Sequence, residues 1–133
     1  MKSFLIPLLA AFTLPTAAVN AEILYLRCTP NSEQKNVDFT ITINEANQSS
    51  MVSTPLNDGT EKLNKGSLFA TSDLFIVKAP FFGSDSYQKF EISRLNGFYN
   101  RYLGSYKYPD QIPEKKSGKG GTCVKEERAK TLF

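Results

Sequence analysis

Hydrophobic and polar residues alternate along most of the chain after residue 21, and a period of two is typical of half-buried strands. The clearest case is VDFTITIN at 37–44, in which every second residue from Val37 onward is hydrophobic. Its β-branched and aromatic side chains also favour a strand. The polar segment EANQSS at 45–50 is a predicted turn, and residues 51–54 are predicted to return as the partner strand.

Short apolar segments separated by turn residues continue towards the C-terminus. The pattern predicts a turn in PLNDGT (55–60), strands in SLFAT (67–71) and LFIVKA (74–79), and a loop in PFFGSDS (80–86). A hairpin of YQKFEISR (87–94) and FYNRYL (98–103) follows. The rest of the chain is predicted as a long mobile loop at about 104–121, a last strand in TCVK (122–125) and a helical turn or tail in EERAKTLF (126–133). Seven or eight short strands without a convincing amphipathic helix predict an all-β fold. We expect a small antiparallel barrel or sandwich.

The turn of the predicted hairpin sets its register, and a slip of one residue would invert every side chain. A two-residue turn at 96–97 would pair Ile92 with Arg101 and place two arginines on the hydrophobic face, which is costly. A three-residue loop at 95–97, with Gly97 left-handed in a G1 bulge, shifts the pairing by one. We therefore predict the second register, whose inner face consists of Phe90, Ile92, Phe98 and Tyr102.

In that register Glu91 faces Arg101 on the outer side, as a cross-strand ion pair worth only tenths of a kcal/mol when exposed. Arg94 lies at the mouth of the inner face. Two alternatives remain for it. It is either a partly buried arginine paired with a carboxylate or with loop carbonyls, or a cationic anchor for an anionic ligand.

The first 21 residues have the features of a secretory signal peptide. A lysine precedes a short apolar stretch at 4–14, and Val19-Asn20-Ala21 provides a small-residue cleavage site. The stretch is too short and too interrupted by proline for a good membrane span. We expect a signal peptide at 1–21 and one exported domain at 22–133, periplasmic or secreted, with no transmembrane segment in the mature chain.

Two cysteines remain after the predicted cleavage, and in an exported protein an isolated pair most simply forms one disulfide. Cys28 and Cys123 are 95 residues apart (123 minus 28). For loops of about 100 residues, the entropic model gives a stabilisation of up to roughly 4.7 kcal/mol. The bond would join the first predicted strand, LYLRC at 24–28, to the last, TCVK at 122–125, and help to protect an open edge. Free thiols in a metal or redox site are disfavoured, since the chain has no CxxC motif and no histidine.

The charge is unevenly distributed. Without Lys2 the chain has 15 basic and 13 acidic residues, a net charge of +2. Residues 22–93 carry 6 basic and 9 acidic side chains, whereas residues 94–133 carry 9 basic and 4 acidic ones. A basic C-terminal third could contact anionic glycans, lipids or an acidic protein, or it could simply keep the protein soluble.

Catalytic chemistry is poorly represented in the sequence. The absence of histidine removes the commonest general base and transition-metal ligand, and no common catalytic or nucleotide-binding motif occurs. We therefore predict a protein that is not an enzyme and that has no cofactor or metal. The less favoured alternative is a carboxylate-based glycoside hydrolase, although Glu126 and Glu127 are more simply interpreted as surface charge.

Aromatic and basic side chains near the hairpin are the candidate binding residues, because aromatic rings stack on sugars and basic groups hold anions. The candidates are Arg94, Tyr99, Arg101, Tyr106, Lys107 and Tyr108, beside the basic segment 115–119. Ile112 with Phe81 and Phe82 could instead form an apolar patch for a protein. Because export separates the protein from cellular nucleic acid, we expect the partner to be an envelope protein or an anionic glycan.

Several segments together resemble a class of small exported bacterial proteins. The similarity rests on an early cysteine, FTITINEANQSSMVS, ATSDLFIV, YQKFEISRLNGFYN and GGTCVKEE, which cover most of the mature chain. It implies a one-disulfide β fold more than an activity, and we predict a binding or accessory role in the envelope. More loosely, the chain is similar to the periplasmic lysozyme inhibitors, small exported β-barrels whose inhibitory loop is rich in Ser, Gly and Tyr, like GSYKY at 104–108. That similarity implies the alternative function of inhibiting a periplasmic or foreign hydrolase.

Overall fold

The computed structural model describes residues 23–32, 38–81 and 83–127. Eight strands lie in these ranges: β1 Ile23–Pro30, β2 Phe39–Asn44, β3 Ser49–Pro55, β4 Glu61–Ala70, β5 Leu74–Pro80, β6 Ser86–Ser93, β7 Phe98–Ser105 and β8 Lys115–Lys125. The predicted signal peptide, Val37, Phe82 and the tail after residue 127 lie outside the described residues. No helix in the described part of the chain is long and apolar enough to cross a membrane.

The eight strands form one closed antiparallel barrel in which each strand pairs with its neighbours in the sequence and β1 also pairs with β8. This confirms the predicted all-β class and selects the barrel over the sandwich. Cys28 and Cys123 are directly opposite each other in the β1–β8 pair, and they form the predicted disulfide. The covalent bond therefore crosses the seam where the first and last strands close the barrel.

Alternation along each strand directs the apolar side chains into the barrel. The buried core consists of Leu26, Ile41, Ile43, Val52, Leu68, Phe75, Val77, Ala79, Phe90 and Ile92, together with the disulfide and Tyr99. Burial of one large aliphatic or aromatic side chain is worth about 1.5–3 kcal/mol, so this cluster supplies much of the driving force for folding. The core closes the middle of the barrel.

The β6–β7 hairpin differs from the prediction by one residue in its register. Phe90 faces Arg101 and Ile92 faces Tyr99. Two residues predicted for the inner face, Phe98 and Tyr102, therefore lie on the outer face. Phe98 is 61% exposed, whereas Tyr99 is only 5% exposed.

The predicted Glu91–Arg101 ion pair is consequently wrong, because Arg101 lies on the inner face. Glu91 instead contacts Lys89, with 3.4 Å between Oε2 and Nζ. The inner face of the hairpin contains both Arg94 and Arg101, the arrangement that the sequence argument rejected as costly.

The hairpin loop explains the different register. It contains four residues, 94–97, and is closed by a hydrogen bond from the N–H of Gly97 to the carbonyl of Ser93 at 2.9 Å. The Ser93 hydroxyl also accepts hydrogen bonds from the N–H groups of Leu95 and Asn96. Gly97 is left-handed as predicted, with φ of 80°, but the loop is one residue longer than the predicted bulge. Ser93 thus closes a tight turn that the Asn96-Gly97 pair alone did not predict.

The predicted loop at 104–121 is much shorter in the structure. β7 continues to Ser105 and β8 begins at Lys115, so the connection is residues 106–114. β8 contains an irregularity: Arg101 faces Ser117 and Tyr99 faces Gly121, so three residues of β8 lie opposite one residue of β7. Gly118 and Gly120, with φ of 72° and 70°, flank the middle residue of this bulge, Lys119.

Candidate functional site

A cavity of about 470 Å³ occupies one end of the barrel, where the strands connect through the β1–β2, β3–β4 and β5–β6 loops. Its size lies within the range of roughly 300–1,000 Å³ that is usual for small-molecule sites. The hydrophobic part of its wall consists of Phe39, Val52, Leu56, Phe81, Phe90 and Tyr99. Eight-stranded barrels have room either for side chains or for one small ligand, and here the core fills one part and the cavity the other.

Arg101 is the charged group inside this cavity. Its Nε and Nη2 donate to Oε1 of Gln88 at 3.2 and 3.1 Å, and its Nη1 donates to Oγ of Ser117 at 3.1 Å. The guanidinium also lies 4.8 Å from the centre of the Phe81 ring. Because β6, β7 and β8 are consecutive strands of the sheet and Arg101 is directly opposite Ser117, pairing of neighbouring strands brings these partners together.

The hydrogen bonds of Arg101 leave part of its capacity unused. A guanidinium has five N–H donors, and the three bonds to Gln88 and Ser117 leave two, one on each terminal nitrogen. Within the described ranges, no carboxylate forms an ion pair with Arg101. Burial lowers the pKa of Arg101. An adjacent carboxylate would have the opposite effect and raise this pKa.

Two further polar groups of the cavity wall have hydrogen-bonding capacity to spare. Tyr99 and Gln88 are each only 5% exposed and both line the cavity. Among the described residues none accepts a hydrogen bond from the Tyr99 hydroxyl or from the amide nitrogen of Gln88. Because no buried side-chain nitrogen or oxygen of the described residues lacks a partner, these two atoms are accessible to solvent. Burial is the main cause that raises the pKa of Tyr99 to about 12, so its hydroxyl keeps its proton at neutral pH.

The rim of the cavity adds positive charge. Lys62 from β4 and Lys119 from the β8 bulge line it, and no Asp or Glu of the described residues does. Asp38 is the carboxylate that acts on the site from nearby, and it raises the pKa of Tyr99 against the opposite effect of Arg101. The cavity therefore combines a hydrophobic wall, several hydrogen-bond donors and three cationic side chains.

The predicted binding residues lie in three places: the cavity, the start of the 106–114 loop and, for Arg94, the opposite end of the barrel. Tyr99 and Arg101 line the cavity. Tyr106, Lys107 and Tyr108 lie at the start of the 106–114 loop on the outside, where the Tyr106 ring packs against Tyr87 with 4.9 Å between centres and Lys107 lies 5.4 Å from the Tyr108 ring. The prediction that Tyr99 is an exposed stacking residue is wrong, because the register change turns it inward.

Arg94 lies at the opposite end of the barrel, beside a smaller cavity of about 230 Å³. Its Nη1 donates to the carbonyl of Thr71 at 2.7 Å, and its Nη2 is 3.4 Å from Oε1 of Glu45. The guanidinium also covers the Phe75 ring at 4.3 Å. This is the first of the two predicted alternatives, an arginine paired with a carboxylate and a loop carbonyl.

Gln88 and Phe81 contact Arg101 in the cavity, and neither was predicted to share a site with it. Gln88 precedes Phe90 by two positions, so the alternation places it on the inner face, and a polar residue there was the available signal. Phe81 was assigned to an apolar patch together with Phe82. Its role beneath Arg101 depends on the β5–β6 connection, which composition does not reveal.

A polar cluster on the outer surface attaches the 106–114 loop to the barrel. Glu114 accepts hydrogen bonds from the Tyr87 hydroxyl at 2.6 Å and from Lys89 Nζ at 2.7 Å. Partial burial alone would raise the pKa of Glu114, but these two hydrogen bonds outweigh it and the pKa is lowered. The bond to Glu114 is in turn the main cause that raises the pKa of Tyr87.

The remaining carboxylates offer little for catalysis in the large cavity. Glu126 forms an ion pair with Arg27, with 3.3 Å between Oε2 and Nε, and neither it nor Glu127 lines the cavity. Within the ranges that the structure describes, no group of three or more His, Cys, Asp or Glu side chains could hold a metal ion.

Fold and site together define an eight-stranded antiparallel barrel with a ligand-sized, donor-rich cavity at one end. Comparisons of the chain with models of protein families, with curated proteins and with solved structures found no match.

Proposed function

We propose that the protein is a non-catalytic binding module that takes a small molecule into the open end of its barrel. One observation carries the proposal: a cavity of about 470 Å³ with a largely hydrophobic wall contains the guanidinium of Arg101, which no described carboxylate neutralises. Ligand sites typically combine such a hydrophobic enclosure with a few convergent polar groups.

The Tyr99 hydroxyl and the two remaining N–H groups of Arg101 are hydrogen-bond donors without a described protein acceptor. No buried nitrogen or oxygen of a described side chain lacks a hydrogen-bond partner, so these donors are open to solvent and available to a ligand. A barrel selected only for stability would place an apolar residue at these inward positions. A ligand that accepts these hydrogen bonds would account for them.

The compartment forms part of the proposal. A Cys28–Cys123 disulfide is stable in oxidising compartments and rare in the cytosol. Together with the signal peptide predicted at 1–21, it supports an exported protein that acts in the periplasm or outside the cell.

A neutral environment-sensitive dye such as Nile red tests the cavity. Thr54 lines it, whereas the preceding residue on β3, Ser53, does not. The chain contains no tryptophan, so a single introduced indole is also a fluorescent reporter. We expect the dye to bind the wild type and the Ser53→Trp variant, and to bind Thr54→Trp at least 10-fold more weakly, because the indole fills the cavity. Failure of the dye to bind the wild type, or equal binding by both variants, would refute the proposal.

A second candidate function is the inhibition of a hydrolase by the 106–114 loop. Tyr106 and Tyr108 are 45% and 47% exposed. The loop is held by hydrogen bonds from the Tyr108 N–H to Ser105 Oγ and from the Ile112 N–H to the Tyr108 carbonyl, both at 2.9 Å. A pre-organised protruding loop is favourable for binding an enzyme cleft.

A lysozyme inhibition assay separates the two candidates. If the loop inhibits, Tyr106→Ala loses inhibition and Thr54→Trp, which changes only the cavity, retains it. The absence of inhibition by the wild type would eliminate this candidate for lysozyme and leave the cavity proposal unchanged.

A further inference from the structure

We infer that the ligand of the cavity is an anionic amphiphile, with a carboxylate or phosphate group held by Arg101 and an aliphatic body packed against the hydrophobic wall. The inference rests on the proposed function, because it assigns a chemical class to the molecule that the cavity binds.

The head group follows from the geometry at Arg101. Gln88 and Ser117 fix the guanidinium through Nε, Nη2 and Nη1 and leave one N–H on each terminal nitrogen. Because these two N–H groups belong to one planar guanidinium, a carboxylate or phosphate can accept hydrogen bonds from both terminal nitrogens. Tyr99 lines the same cavity, and its hydroxyl donates to no described residue.

The charge of the head group follows from the balance of the lining. Arg101 and Lys119 line the cavity and no described Asp or Glu does. A concave site whose lining carries one sign of charge attracts the opposite sign and repels the same sign. A neutral ligand would leave the partly buried guanidinium of Arg101 without a counter-charge, which is unfavourable.

The body of the ligand follows from the remaining wall. Phe39 and Phe90 are in contact, with 5.2 Å between ring centres, and both line the cavity with Val52 and Leu56. At about 30 Å³ for a group the size of a water molecule, a cavity of about 470 Å³ has room for roughly 15 such groups. That size suits a medium-length acyl chain. The buried core closes the inner end, so a long polymer cannot thread through.

A displacement titration of the disulfide-bonded protein with Nile red tests the ligand class. The competitors are dodecanoate, dodecyl phosphate, dodecanol, dodecylamine and glucuronate, each below the concentration at which it aggregates. We expect dodecanoate or dodecyl phosphate to displace the dye at concentrations at least 10-fold lower than dodecanol or dodecylamine, and the better of the two identifies the head group. Glucuronate, an anion without an aliphatic body, should not displace the dye.

Two arginines at opposite ends of the barrel give a matched control. Arg101→Met should weaken dodecanoate binding by about 10- to 100-fold, the usual effect of losing charged hydrogen bonds, and leave dodecanol binding unchanged. Arg94→Met removes the same charge beside the smaller cavity and should change neither. Arg101→Lys retains the charge without the planar fork, so it should show an intermediate loss and serves where the methionine variant does not fold.

The outcomes distinguish this inference from the proposed function. If the dye binds but dodecanol competes as well as both anions, or if Arg101→Met and Arg101→Lys keep the preference for the anion, the ligand class is wrong and the binding module stands. If neither the dye nor any competitor binds the wild type, the proposed function itself fails.

Discussion

Arg101 donates two hydrogen bonds to a single acceptor, Oε1 of Gln88, from Nε at 3.2 Å and from Nη2 at 3.1 Å. Structural arginines inside proteins are usually paired with a carboxylate that neutralises them. An amide at this position fixes the orientation of the guanidinium but leaves its charge uncompensated. Gln88 therefore holds the positively charged guanidinium of Arg101 in a fixed orientation and leaves its charge available to a ligand in the cavity.

Replacing Gln88 by Glu should make the charge of Arg101 unavailable to a ligand. The new carboxylate would form an ion pair with Arg101, and we expect dodecanoate binding to fall at least 10-fold. The free energy of unfolding in urea should stay within about 1 kcal/mol of the wild type, because the pair forms in place of the existing hydrogen bonds. Gln111→Glu adds the same charge on the exposed 106–114 loop and should leave binding unchanged. Equal binding by both variants would contradict this role for Gln88.

The two glycines of the β8 bulge provide a second prediction. Gly118 and Gly120 have nearly the same left-handed φ, 72° and 70°. A Cβ at Gly118 would meet nothing within 4 Å, whereas at Gly120 it would lie 2.2 Å from the backbone oxygen of Tyr99. We expect Gly118→Ala to cost about 1–2 kcal/mol from the left-handed conformation alone, and Gly120→Ala to cost clearly more in a urea unfolding experiment.

The comparison of these two alanine variants isolates the steric effect, since the conformational penalty is common to both. Because Gly120 contacts β7 beside Arg101, Gly120→Ala should also shift the bulge and reduce ligand binding. Equal loss of stability in the two variants would mean that the bulge relaxes freely.

The Glu114 cluster predicts a pH dependence of stability. The pKa of Glu114 is lowered in the folded protein from its ordinary value of 4.5, so its contribution is present above pH 4.5 and is lost as the pH falls through the folded pKa. Glu114→Gln should therefore be less stable than the wild type at pH 7, by up to about 1 kcal/mol for a partly exposed pair. The difference should disappear in acid.

Thermal unfolding of both proteins between pH 7 and pH 3 measures this effect. Asp110→Asn changes a carboxylate of the same loop for which the structure shows no ion pair, and its melting temperature should follow the wild type across that range. A Glu114→Gln difference that persists unchanged in acid would show that the cluster contributes through packing rather than through charge.

The disulfide predicts the largest change in stability. The bond links residues 95 apart and closes the β1–β8 seam. Replacing both cysteines by alanine, which adds no polar group to these buried positions, should lower the free energy of unfolding by about 2–5 kcal/mol. Reduction of the wild type should give a similar loss. A difference below about 1 kcal/mol would indicate that backbone pairing alone closes the barrel.

Local patterns in the sequence were sufficient for the class of fold. The alternation in 39–44 predicted β2, because a period of two can bury one face only in a strand, and the short apolar segment 74–79 predicted β5. Asp58-Gly59 marked the turn between β3 and β4, and two isolated cysteines predicted the disulfide. β4, β7 and β8 extend beyond the predicted strands, since pairing with neighbouring strands adds polar and glycine-containing segments to the sheet.

The site depended on information that no local pattern contains. Whether Arg101 lies inside or outside the barrel is decided by the length of one loop, where the Ser93 hydroxyl accepts the N–H groups of Leu95 and Asn96. A slip of one residue exchanges the two faces of β7.

The sequence by itself determined an all-strand chain joined end to end by a disulfide, because hydrophobic alternation and cysteine pairing are properties of short segments and of composition. Only the tertiary structure decided that a positive charge lies in the barrel. The penalty for burying Arg101 is offset by Gln88, Ser117 and Phe81, which come from β6, β8 and the β5–β6 connection. Their proximity requires β6, β7 and β8 to pair in the observed register.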